Sequence, residues 1–185
     1  MKFVFILDIG GNTVIAKNRI HNNNRLTVSL FIFYLILLTW VVVFKLQFSI
    51  AKLPNIRNIN LIPFGASAIV NGAIDIKEIV YNLLIFIPYG LFIHILWEQK
   101  SFIKQFAPII GTSLLFEVVQ FVFSIGGSDI TDLITNSLGG ILGILLAMLL
   151  SKLLTKHWIK LINIISLTGT CLFTLLAATL FLASL

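Results

Sequence analysis

Five long apolar runs decide most of what this chain can become. They occupy residues 27–44, 79–96, 106–123, 133–150 and 161–182. Each holds roughly 18–22 residues, and at ~1.5 Å per helical residue that length crosses a ~30 Å hydrocarbon core. An isolated strand in lipid would leave its backbone N–H and C=O groups unsatisfied, so the runs must be helices. The expected fold class is therefore all-α, a polytopic membrane bundle of about five transmembrane helices.

Composition agrees. Charged residues make up 11% of the 185-residue chain, against roughly 25% in a typical soluble protein. Hydrophobic residues make up 58%. So few charges could not coat a soluble domain of this size, and lipid must be the solvent for much of the surface. The net charge of +6 does not indicate nucleic acid, because the Lys and Arg residues are spread over segments between the apolar runs rather than gathered on one face. Cys171 is the single cysteine. It supports neither a disulfide framework nor a thiolate metal site, and a small buried hydrophobe is its expected role.

The placement of cations orients the bundle. With the N-terminus in the cytoplasm, the cytoplasmic side holds Lys2, Lys17, Arg19, Arg25, Lys100, Lys104, Lys152, Lys156 and Lys160. The outer side holds only Lys45, Lys52, Arg57 and Lys77. This excess favours a cytoplasmic N-terminus and an extracytoplasmic C-terminus. The start does not read as a cleavable signal peptide, because Phe3 to Ile9 is a short apolar stretch followed by polar sequence without a small-residue cleavage site. Residues 1–26 read as a cytoplasmic tail and 27–185 as the transmembrane domain. Within the long 45–78 loop, the stretch NLIPFGASAIV (60–70) is too apolar for a solvated linker and too short to span. It fits either a surface-lying connector or a re-entrant segment.

Glu117 is the acidic residue well inside an apolar run, where a charge costs at least ~2.5 kcal/mol on insertion scales. Gln120 follows one turn later on the same face. Antiparallel connectivity brings the start of the second helix, the end of the third and the start of the fourth to one membrane face. Asn82, Glu117, Gln120, Asp129, Asp132 and Asn136 therefore meet there. Amides and a protonated Glu can serve simply as interhelical glue, typically worth ~0.6 kcal/mol per bond. A carboxyl with two aspartates nearby is more polarity than packing needs, which marks a candidate functional site. Gly139 and Gly143 form a small-xxx-small pair suited to close helix packing. Pro88 and Gly90 are expected to kink the second helix. His94, near Trp97 and Glu98, reads as an interfacial histidine. No cofactor and no metal-ligand set is expected.

At these residues the sequence resembles the VanZ-like family. The motifs are NLIPF at 60–64, NLLIFIPYG at 82–90, FEVVQ at 116–120 and DITDLITNSLGGILG at 129–143, so the resemblance covers a core of about residues 60–150. By matching position, Pro63, Phe64, Asn82, Pro88, Gly90, Glu117, Gln120, Asp129, Asp132, Asn136 and Gly139 look like signature residues. Family members often carry an Arg shortly before the first Asp, where this chain has Gly126, Gly127 and Ser128. The resemblance implies a small bacterial membrane protein whose namesake is linked to teicoplanin (glycopeptide) resistance. It suggests action at the outer face on a cell-envelope lipid, a lipid-linked cell-wall precursor or a partner envelope protein, with oligomeric state open. Two other readings stand beside it. One is an intramembrane enzyme on a lipid substrate, with Glu117 as acid or base or the aspartates holding a divalent cation. The absence of a Ser–His pair, an HExxH motif or a cationic phosphate clamp weighs against it. The other is a structural partner of an envelope complex. An ion-coupled transporter is disfavoured by five spans without an inverted repeat.

Overall fold

The computed structural model describes residues 12–45, 57–65, 69–70, 73–74, 76–154 and 157–183. Its elements run α1 (Asn12–Val42), β1 (Ile59–Asn60), β2 (Ile69–Val70), β3 (Ala73–Ile74), α2 (Ile76–Trp97), α3 (Phe102–Phe123), β4 (Ser128–Asp129), α4 (Ile130–Leu154) and α5 (Trp158–Ala183). Each of the five helices contains a stretch long and apolar enough to cross a membrane. The all-α reading holds, and each apolar run of the sequence coincides with one helix. The first helix starts at Asn12, inside the segment expected as a tail; residues 1–11 of that segment lie outside the described residues.

Packing centres on α2 and α4, with α3 against α4 next; α1 leans on α2, and α5 has the slightest hold on the rest. Glycine makes the central contact possible. A Cβ at Gly139 would collide with the Leu83 carbonyl oxygen, one at Gly143 with that of Ile87, and one at Gly90 with that of Gly140. The two backbones are thus in direct contact, as small residues permit where lipid offers no hydrophobic drive for association. Pro88 stands within α2 and cannot donate to the carbonyl one turn back. In the same turn the Tyr34 hydroxyl of α1 donates to the Ile85 carbonyl, tying the first helix to the second.

Around this contact lies an aromatic core. Phe86, Tyr89 and Phe92 of α2 and Phe116 of α3 are buried, with the Phe31 ring of α1 5.5 Å from both Tyr89 and Phe92. The fifth helix is pinned by a buried polar pair, in which Asn163 Nδ2 donates to Thr27 Oγ1 at 2.9 Å. At the same end of the bundle His94 is buried, 2.9 Å from Gln105 Oε1 and packed beside the Trp158 ring. His94, near the end of its helix, thus sits in a hydrogen-bonded site between three helices. Cys171, expected to be buried, is exposed on α5.

At the opposite end, β1 pairs in parallel with β4, setting Ile59 opposite Ser128 and Asn60 opposite Asp129. Residues 57–65 therefore lie across the end of the bundle as a connector; residues 66–68 of the apolar 60–70 stretch lie outside the described residues. Beyond them, β2 and β3 pair antiparallel.

The glycine contact generates a test. Gly139→Ala and Gly143→Ala should each lower stability by about 1–3 kcal/mol or more, as overpacking does. Gly111→Ala should be neutral or stabilising by up to ~1 kcal/mol, because nothing lies within 4 Å of its Cβ position. Thermal unfolding of the three purified variants in one detergent checks the ranking; equal behaviour would remove the close α2–α4 contact.

Candidate functional site

The site grows from the way α3 ends and α4 begins. The third helix closes on Ser124 in the left-handed region (φ 56°), and the Ile125 N–H returns to the Gln120 carbonyl at 3.0 Å. The chain is thereby turned so that residues 128–129 come back alongside Glu117. The Glu117 carboxylate accepts the backbone N–H of Asp129 through Oε2 at 2.7 Å, and its own carbonyl accepts the Ser128 hydroxyl at 2.6 Å. Glu117 is buried. A charge-capable group in that position needs partners, and the loop supplies them.

Asp129 has a structural duty of its own. Its Oδ1 accepts the Thr131 N–H at 2.8 Å, the geometry of an N-cap on α4. Asn60 Nδ2 donates to the same Oδ1 at 3.1 Å. The connector is then clamped a second time. Pro63 and Phe64 are the middle of a turn closed by the Gly65 N–H on the Ile62 carbonyl at 3.0 Å. Phe64 takes a positive φ of 55°, costly for a bulky residue, and its N–H donates to Thr131 Oγ1 at 3.0 Å. Pro at the second turn position suits such a turn, which explains the two motif residues as builders of the clamp.

A cation of the connector reaches the α3–α4 turn. Arg57 Nε donates to Ser124 Oγ at 3.0 Å and its guanidinium to the Val122 carbonyl at 3.0 Å, with the group 5.5 Å from the Phe121 ring centre. It thus closes the carbonyl end of α3, where the helix dipole favours positive charge.

The remaining candidates divide between two neighbourhoods. Asn82 Nδ2 of α2 donates to Asp132 Oδ1 of α4 at 2.7 Å, and Gln120 Nε2 donates to the Val42 carbonyl of α1 at 3.0 Å. Deeper in the bundle, Asn136 Nδ2 donates to Ser113 Oγ at 3.0 Å. Glu117, Asp129 and Asp132 are near enough to repel one another's charge, and Lys45 near enough to Asp132 to offset part of it. Three buried oxygens, Glu117 Oε1, Gln120 Oε1 and Asn136 Oδ1, have no hydrogen-bond partner among the described residues. Glu117 stands in the wall of a cavity of about 230 Å³ between α3, the connector and α4, otherwise mostly apolar. Gln120 and Asp132 stand in the wall of a second, polar cavity of about 440 Å³ on the α1–α2 side.

Comparison with known proteins decides the family. Residues 31–151 match the family described as VanZ/LLP1. The chain belongs to the VanZ/LLP1 family. It is 42% identical over 109 residues to "Protein VanZ" of Enterococcus faecium, a match covering 58% of this chain and 64% of that protein. The chain thus spans a little under two thirds of that relative's length. No solved structure matches it. The family match begins within α1, earlier than the motifs at 60–143, so the last part of the first helix, from residue 31, is part of the VanZ/LLP1 unit. Five apolar helices in a chain of this family make it a multi-pass membrane protein.

All six cluster residues of the sequence analysis lie toward the same end of the bundle, with Asn136 deepest; direct bonds link Glu117 with Asp129 and Asn82 with Asp132, while Gln120 and Asn136 bond elsewhere. Asn60, Ser113, Ser128, Thr131 and Arg57 were not anticipated. Asn60 opens the NLIPF motif, and that was its only signal. Asp129 and Asp132 are held by different amides, and among the described residues no group of three or more His, Cys, Asp or Glu is placed to hold a metal ion.

Glu117 can be tested as a latch. Glu117→Ala strands the buried Asp129 N–H and should cost about 1–3 kcal/mol, while Glu117→Gln keeps an acceptor and should cost less. Amide hydrogen exchange at residues 125–131 should quicken in the alanine variant and stay near wild type in the glutamine variant; unchanged exchange in both would contradict the latch.

Proposed function

We propose that this VanZ/LLP1 protein works in the bacterial cell membrane with its N-terminus in the cytoplasm and its C-terminus outside. The excess of Lys and Arg on the intended cytoplasmic side supports that orientation. The end bearing Glu117, Asp129 and Asp132 then lies at the outer face. There it binds a polar group of a cell-envelope lipid or lipid-linked precursor and lowers susceptibility to glycopeptides such as teicoplanin.

The observation that carries this reading is the unpartnered Oε1 of a buried Glu117 in the wall of a largely apolar cavity at the end of the bundle. An unmet buried polar atom costs about 1–3 kcal/mol, and a ligand donor would remove that cost. The apolar walls, including Leu114, Val118 and Leu133, suit the lipid-proximal part of an amphiphile. Asp129 acts through Glu117 and the connector rather than on the ligand, because its Oδ1 is engaged in capping α4. The site reads as one that binds, with no turnover required of it.

The test is teicoplanin susceptibility of a Gram-positive host expressing the chain, beside Glu117→Gln and Asp132→Asn at matched membrane levels. The wild type should raise resistance above empty vector, and both variants should return it toward the vector value. No difference between wild type and vector would end the glycopeptide reading. Resistance retained by both variants would move the site elsewhere.

A further inference from the structure

The polar cavity on the α1–α2 side does not stand alone. Its walls include two cations, Lys45 and Lys77, two carboxylates, Glu78 and Asp132, and the amides Asn82 and Gln120. Gln120 is 4% exposed, and its Oε1 is one of the unpartnered buried oxygens. Val41 and Ile85 form part of this cavity and also of a larger one, of about 520 Å³, that continues along the bundle. The larger cavity is a groove among α1, α2, α4 and α5 and is almost wholly apolar. Along α1 it reaches from Val41 to Leu30, and along α5 from Phe173 to Ile162. Eleven residues at ~1.5 Å each give ~16 Å, about half of a ~30 Å hydrocarbon core and so the depth of one leaflet.

A mixed-charge chamber at the end of the bundle, sharing the wall residues Val41 and Ile85 with an apolar groove one leaflet deep, has the form of a lipid. We infer that this side of the bundle holds one membrane phospholipid whose headgroup carries both a phosphate and a primary ammonium group. The phosphate lies by Lys45 and Lys77, the ammonium by Glu78 and Asp132, and one acyl chain fills the groove. The formal charges of these four side chains cancel, which matches a zwitterion better than a purely anionic headgroup. The ammonium can donate to Gln120 Oε1, whereas a hydroxyl headgroup would leave the two carboxylates without a cation from the ligand. The inference rests on the proposed function only for which leaflet supplies the lipid.

Gly169 provides a clean probe. It is part of the groove wall, and a Cβ there would meet nothing within 4 Å, so a large side chain can occupy the groove without displacing a helix. The experiment is native mass spectrometry of the full chain, purified in detergent and supplied with phosphatidylethanolamine, phosphatidylglycerol or diacylglycerol of one chain length. Wild type should retain phosphatidylethanolamine best and diacylglycerol least. Gly169→Phe should lose all three, while Gly111→Phe, at a position equally open but away from the groove, should match wild type. Lys45→Gln should lower retention of both phosphate-bearing lipids about tenfold, the loss of one charge-assisted contact. Equal retention of the three lipids by wild type, preference for phosphatidylglycerol, or undiminished binding by Gly169→Phe would each overturn the inference. Binding is read without antibiotic, so its failure leaves the susceptibility reading standing, and a failed susceptibility assay leaves this one standing.

Discussion

The polar end of this molecule depends on one carboxylate accepting one backbone N–H. Glu117 projects from the last turns of α3 into apolar surroundings and takes the Asp129 amide at 2.7 Å. In lipid no water stands ready to replace a lost partner, so this bond fixes where α4 starts. From that start the rest follows in order. Asp129 caps α4, Asn60 and Phe64 clamp the connector onto the cap, and Asp132 in the first turn meets Asn82 of α2. The phase set there brings Gly139 and Gly143 against the backbone of α2.

Much of this was legible before any coordinates. Helix length and alternating direction alone put Asn82, Glu117, Gln120, Asp129, Asp132 and Asn136 at one end, because antiparallel spans leave little freedom in that respect. The spacing of Gly139 and Gly143 likewise read correctly as a packing surface. What stayed hidden has a physical cause. Lipid and protein core are both apolar, so hydropathy cannot tell a helix face that meets lipid from one that meets another helix. Cys171 therefore read as buried when it is exposed, and α5 showed no sign that Asn163 would pin it to Thr27. The β1–β4 pairing hid for another reason: two-residue strands have no periodicity to read. Arg57 hid because it reaches the α3–α4 turn from a segment more than sixty residues earlier in sequence.

The structure also redistributes the roles of the acids. Two aspartates beside a buried glutamate look, in sequence, like surplus polarity set aside for chemistry. Asp129 turns out to serve the fold, as a cap and as the anchor of the connector. What is left over is narrower: one oxygen each of Glu117, Gln120 and Asn136, and two cavities on opposite sides of the Asp129–Asp132 turn. One is small and greasy, with Glu117 and Asp129 in its wall, the other mixed in charge beside an apolar groove. A protein arranged this way is suited to holding amphiphiles at the membrane edge, where a headgroup and a chain need different solvents within a few ångströms.

The central claim is that the latched, carboxyl-bearing end faces the outside of the cell. A single cysteine at Gly127, in the exposed part of the α3–α4 turn, tests it most directly when Cys171 is replaced by serine and a second variant carries its cysteine at Lys100. In intact cells a membrane-impermeant maleimide should label the cysteine at position 127, and should reach position 100 only after permeabilisation. The reverse pattern would contradict the account, because the polar end would then be cytoplasmic and out of reach of any glycopeptide outside.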